Sequence, residues 1–214
     1  MAAFLFSLHP GYLNNSLLLN DWQQTRQLLA LSHAPAVTHY LAMREAMLHT
    51  EAELRQLTAP DNTLNPFLSS PAATPEPMAQ LQWLAEQDNA TARIPLPQNA
   101  QQCWAQHKYS LMMRDLNLYK QFGQRTASKL SEGAFALLIK ELTESLYLVP
   151  SLGGLRNGFL HMWGYVSDAI PAPFDNPAEV ELSLMQRHIW QCCKLGSTPY
   201  IQHSTAITEP LHFY

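Results

Sequence analysis

Asn157, His161 and Tyr165 follow one another at intervals of four residues. On a continuous helix that spacing puts an amide, an imidazole and a phenol on one side. Such a row can hold a planar polar ligand, with Asn157 and Tyr165 as contacts and His161 as acid or base. Four of the chain's eight glycines, Gly153, Gly154, Gly158 and Gly164, surround the row. A glycine costs a helix interior about 1 kcal/mol relative to alanine. The concentration therefore asks for a close neighbour, either another helix or a ligand. A second set is basic. His107, Lys108 and Arg114 share one segment, Lys120 and Arg125 follow on the next, and Arg156 opens the glycine-rich one. Together they can form an anion site for a phosphate, helped by the partial positive charge of a helix N-terminus. The alternative is a solvated basic face.

Helices must position both sets. Leu18, Trp22 and Leu29 recur at helical spacing after Asn14-Asn15-Ser16, a stretch able to cap. A second helix is predicted from Pro35 to Leu57, with Tyr40, Met43, Met47 and Leu54 on one side, and a short one over 78–87. Five prolines between Ala59 and Pro77 mark a linker or long loop. Further helices are predicted over 98–114, 115–130, 132–148, 152–169 and 177–195. In the fourth of these, Leu152, Leu155, Phe159, Met162 and Val166 form a regular apolar stripe. Asn176 and Pro177 suit the start of the last helix, and Gly196 suits a left-handed cap at its end. Strand-like alternation is nearly absent. The fold expected is all-α, a compact multi-helix bundle or two helical units.

Composition removes several function classes. The 214 residues are 47% hydrophobic and only 14% charged, with a formal net charge of -4, which excludes wholesale disorder. No apolar run approaches the roughly 18 residues of a membrane span. Three cysteines, Cys103, Cys192 and Cys193, offer neither a disulfide framework nor a CxxC spacing. The expectation is a cytoplasmic chain without a membrane partner. The charge is nevertheless uneven. Residues 51–92 hold six acids against Arg55, whereas 93–130 hold six bases against Asp115 alone. One basic stretch inside an acidic chain can attract an anion locally. The nine histidines contain no HxxxH or HExxH pair, and no Gly-rich phosphate loop or GxSxG elbow occurs. Neither metal nor cofactor is expected.

Two stretches carry resemblances. Leu8-His9-Pro10-Gly11-Tyr12-Leu13, followed by Leu18, Leu19 and Trp22, resembles the start of bacterial pyrimidine-dimer DNA glycosylases of the endonuclease V type. The likeness covers residues 1–55 and includes His39-Tyr40-Leu41-Ala42-Met43-Arg44-Glu45. It implies an N-terminal amine that attacks the sugar carbon and forms a Schiff base; Ala2 would supply it once Met1 is removed. The family's assisting glutamate is replaced here by Gln24, whose amide cannot carry the negative charge that stabilises a developing cation. The second stretch is longer. Trp104, His107, Lys108, Tyr109, Leu111 and Met112, with Tyr119 and Gly123, resemble a string in the YbgA-like family of bacterial domains of unknown function. Asn157, His161, Gly164 and Tyr165 match a later element, and Gly196-Ser197-Thr198-Pro199 a third, so the likeness spans about 100–200. That family often accompanies a thiouracil-desulfurising domain, which implies a link to nucleobase or nucleic-acid metabolism.

The organisation expected is a glycosylase-like segment over 1–58, a Pro-rich stretch over 59–77 and a YbgA-like helical domain over 78–214. Three functional readings stand side by side. One is a nucleic-acid-linked protein that holds DNA phosphates with the basic set and a base with Asn157, His161 and Tyr165. Another is an enzyme acting on a nucleobase-type small molecule through His161. The third is a non-catalytic helical module whose basic face meets an acidic protein partner.

Overall fold

A computed structural model describes residues 5–60, 74–196 and 198–211. Among them every regular element is helical. The chain divides into two compact units, Met1–Leu96 and Pro97–Tyr214.

In the first unit, a 3-10 turn at Pro10–Tyr12 precedes α1 (Asn15–Leu31), α2 (Pro35–Leu54) and α3 (Pro77–Ala85). Asn14 caps α1 by accepting the Leu17 amide at 2.8 Å, and Pro35 occupies the first turn of α2. The core gathers Leu18, Trp22, Met43, Met47, Leu48, Leu84 and Ile94. Tyr40 and Leu54, expected on the same stripe of α2, are only half-buried. Their inner neighbours are instead charged, since Arg44 and Glu51 are fully buried. Arg44 reaches Asp21 and the Leu8 carbonyl. Glu51 accepts from Arg93 and Arg55. Buried charges are tolerated when paired in this way.

The division falls later than the expected end of the Pro-rich stretch, and the reason is polar. Gln80 of α3 accepts from the Ser7 amide at 3.0 Å and donates to the Ser7 hydroxyl at 2.8 Å. The Ile94 amide donates to the Gly11 carbonyl at 2.9 Å, and Arg93 binds Glu51. These contacts tie 75–94 to the first unit. Residues 61–73 of the expected linker lie outside the described residues.

The second unit is built around α4 (Ala100–Arg114). It packs against α5 (Leu116–Arg125), α6 (Glu132–Ser145), α7 (Leu152–Trp163), the short α9 (Pro199–Gln202) and a 3-10 turn at Thr205–Thr208. The remaining helix, α8 (Leu182–Gly196), packs on α7 and α9. Asn99, Asp115, Ser131 and Ser151 cap α4 to α7 with their side chains. Leu138, Ile139, Leu142, Leu155, Phe159, Met162, Met185 and Ile189 are buried, each contributing about 1.5–3 kcal/mol by leaving water.

The main departures from the expected boundaries lie in α5, α7 and α8. α5 stops at Arg125, where the Thr126 hydroxyl donates to the Phe122 and Gly123 carbonyls. α7 ends at Trp163, and Leu152 at its start is exposed rather than part of the stripe. α8 begins at Leu182, not at Pro177. Asn176 does accept the Ala178 amide, but Arg156 takes the Ala178 and Val180 carbonyls at 2.7 and 2.9 Å. Those are the acceptors a longer helix would use in its first turn. Gly196 is the last residue of α8 and has no left-handed conformation. Its role is space, because a Cβ there would lie 3.0 Å from that of Ala169.

Candidate functional site

α4 presents Lys108 and Tyr109 side by side. Its packing against α7 and α9 brings them to Tyr165, just past the end of α7, and to Tyr200 of α9. The Lys108 Nζ sits 4.6 Å from the ring centre of Tyr109, 4.6 Å from that of Tyr200 and 5.8 Å from that of Tyr165. The rings adjoin one another. Tyr109 and Tyr165 are 6.4 Å apart edge to face, Tyr109 and Tyr200 6.3 Å, and Tyr165 and Tyr200 5.4 Å. Tyr109 is buried, whereas Tyr165 is 59% and Tyr200 39% exposed. The cluster thus has a buried floor and two solvent-facing rings, with one amine between them.

The electrostatics of this cluster are unusual for a lysine. No carboxylate is paired with Lys108 among the described residues, whereas Arg44, Arg55, Arg93, Arg114 and Arg125 each have one. Desolvation lowers the Lys108 pKa from its ordinary value. Burial, and then the adjacent Tyr165, push the Tyr109 phenol above its usual range. Its buried hydroxyl meets no partner at ordinary hydrogen-bond geometry. Tyr109 is therefore a neutral phenol at physiological pH and supplies no counter-ion. A cation–π contact is worth about 0.5–2 kcal/mol, and is what holds the amine here.

The other expected anion-site residues are engaged elsewhere. His107 is buried, and burial followed by the charge of Arg114 drives its pKa down to about 3. It is a neutral interior imidazole, not a boundary residue. Arg114 makes a bidentate pair with Glu209 at 2.6 and 2.9 Å and donates to the Ser110 and Leu146 carbonyls. Arg125 pairs with Glu141 over the Phe122 ring. Arg156 holds the 178–180 carbonyls. Lys120 is exposed on α5. The basic set therefore forms no single anion site, because acidic and carbonyl acceptors claim the three arginines and burial keeps His107 neutral.

The Asn157, His161 and Tyr165 row is also broken. Asn157 is half-buried and His161 exposed on α7, but the helix ends before Tyr165. Tyr165 lies in a turn, its amide bonded to the Met162 carbonyl, and joins Lys108 instead. Of the four glycines, Gly154 and Gly158 serve packing. A Cβ on Gly154 would lie 2.0 Å from the Met113 carbonyl oxygen, and one on Gly158 2.4 Å from Met113 Cγ. The neighbour they admit is α4. Sequence reasoning does not mark Tyr109 or Tyr200 as site residues. The only local signals were a tyrosine directly after Lys108 and another directly after the Gly196–Pro199 step.

In the first unit, Gln24 is half-buried on α1, two residues after Trp22. The Trp22 indole donates to Glu45 at 2.9 Å. Ala2 lies outside the described residues. All three cysteines are buried and reduced, and desolvation raises the Cys103 thiol to about 12. Among the described residues no helix is long and apolar enough to cross a membrane. No family model matches the chain, and no curated protein or solved structure matches it either.

Proposed function

We propose that the second unit binds a planar, nucleobase-type ring by stacking it on Tyr165 and Tyr200, with Lys108 as the cationic contact. The observation that carries this reading is the Lys108 amine held over three tyrosine rings, two of them facing solvent. Aromatic faces accept any base, and a nearby amine can meet a carbonyl oxygen or a phosphate. The link to nucleobase or nucleic-acid metabolism that the YbgA-like resemblance implies points the same way. With a single unpaired cation in the cluster, the ring supplies most of the affinity and phosphate little.

Fluorescence titration with adenine, nucleoside monophosphates and short single-stranded oligonucleotides tests this. Tyr165→Ala and Tyr200→Ala should each weaken binding about 5- to 150-fold, the equivalent of about 1–3 kcal/mol per stacked base. The salt dependence should be shallow, with a log–log slope of about -0.7 for the one phosphate that Lys108 can reach. Absence of binding by every probe, or affinity unmoved in the double tyrosine variant, rejects the reading.

For the first unit, a second reading follows its resemblance to the glycosylases: imine chemistry on UV-damaged DNA. What favours it is Glu45, a half-buried carboxylate bonded to the Trp22 indole on the helix that carries Gln24. A carboxylate there can supply the charge that Gln24 lacks. Borohydride should trap a covalent adduct with irradiated DNA, lost with undamaged DNA and in Glu45→Gln. No adduct on irradiated DNA overturns it.

A further inference from the structure

We propose that Lys108 is an imine-forming nucleophile, condensing with an aldehyde carried on or beside a flat ring that stacks on Tyr165 or Tyr200. The inference shares its cluster with the ligand reading above, but the condensation itself requires no nucleobase.

Three features of the cluster support it. First, an amine attacks a carbonyl only when neutral, and a paired carboxylate would hold it as ammonium; among the described residues Lys108 has none. Second, the group is half-buried among ring faces, which disfavours the charged form and moves its pKa in the direction that frees the lone pair. The attraction of the rings for ammonium acts against this. Third, Lys108 is only half-buried, and two of the rings around its amine, Tyr165 and Tyr200, are exposed. An incoming planar group laid on either ring brings its substituent within reach of Nζ.

The chemistry balances without an oxidant or reductant. The Nζ lone pair forms a bond to the carbonyl carbon, the π pair moves to oxygen, and the oxygen takes a proton as nitrogen loses one to water. The carbinolamine hydroxyl is then protonated and leaves as water, while the remaining N–H proton is lost and the C=N bond forms. Amine plus aldehyde gives imine plus water.

The test uses the full chain with limiting 4-pyridinecarboxaldehyde or, separately, butanal, each with cyanoborohydride, followed by peptide mapping. Lys108 should be labelled ahead of Lys120, Lys129 and Lys194, which are exposed. The aromatic aldehyde should label it faster than butanal, and Tyr165→Ala with Tyr200→Ala should erase that difference. Lys108→Arg should lose this label alone while circular dichroism stays unchanged. Labelling of Lys108 no faster than that of the exposed lysines overturns the proposal. Selective labelling without nucleobase binding would retain the nucleophile and reject the ligand reading. Nucleobase binding without selective labelling would do the reverse.

Discussion

Glu51→Gln is expected to lower the stability of the protein by about 3–5 kcal/mol, the cost of breaking a buried ion pair by removing one partner. Glu51 is fully buried and serves two guanidiniums. Arg93 binds it bidentately at 2.8 and 2.7 Å, and Arg55 reaches it at 2.8 Å. The glutamine has the same size, so no cavity opens; what is lost is the charge that lets two arginines remain inside. Arg55 also donates to the carbonyls of Pro10, Gly11, Leu13 and Thr91, so the 10–13 turn depends on its position. Desolvation by itself would raise the Glu51 pKa. The charge and hydrogen bonds of Arg93, then Arg55 and His9, outweigh it and hold the carboxyl far below its usual range. Because the folded pKa is depressed, the stabilisation is fully present above about pH 4.3, the value for an unfolded glutamate, and is lost as pH falls below it. Urea denaturation at pH 7 and at steps down to pH 3 checks both statements. Wild type should lose more stability than Glu51→Gln over that acid range. A variant within about 0.5 kcal/mol of wild type at pH 7, the spread of ordinary surface substitutions, would mean the cluster is not a stabilising element.

Gly154→Ala and Gly153→Ala should move stability in opposite directions, although the two positions adjoin. A Cβ at Gly154 would lie 2.0 Å from the Met113 carbonyl oxygen and 3.0 Å from its carbon. That neighbour is backbone of the central helix and cannot turn aside, so α7 must move off α4. Overpacking of this kind costs about 1–3 kcal/mol and occasionally more, and the upper part of that range is expected here. A Cβ at Gly153 would meet nothing within 4 Å. Alanine there gains helix propensity, worth up to about 1 kcal/mol. Thermal denaturation of both variants reads the contrast. The displacement of α7 has a second consequence, since Tyr165 follows that helix. Gly154→Ala should also weaken the stacking ligand proposed for Tyr165 and Tyr200. Equal stability of the two variants would show that α7 and α4 are not held at this distance by the glycine.

The sequence alone determined α1 to α8 and most of their starting points, but not α9, which carries Tyr200. Asn14, Asn99, Ser131 and Ser151 cap by bonds to amides three residues ahead, and a cap depends on little beyond its own turn. Leu155, Phe159, Met162 and Val166 are buried as their spacing implies. The concentration of glycines over 153–164 asked for a close neighbour, and at Gly154 and Gly158 that neighbour is α4. Tertiary structure decided where charge is buried and with whom. Arg114 looked like a phosphate ligand because its acidic partner, Glu209, lies 95 residues away. Arg156 looked the same, because its acceptors are carbonyls of a later segment, 22 and 24 residues away. Tyr165 belonged by period to a row with Asn157 and His161, yet the helix stops two residues before it. The cluster at Lys108 draws on α4, the turn after α7, and α9. Periodicity reports which side of one helix faces inward; it carries no term for the desolvation of a charge or for which distant ring will cover it, and those energies chose the site.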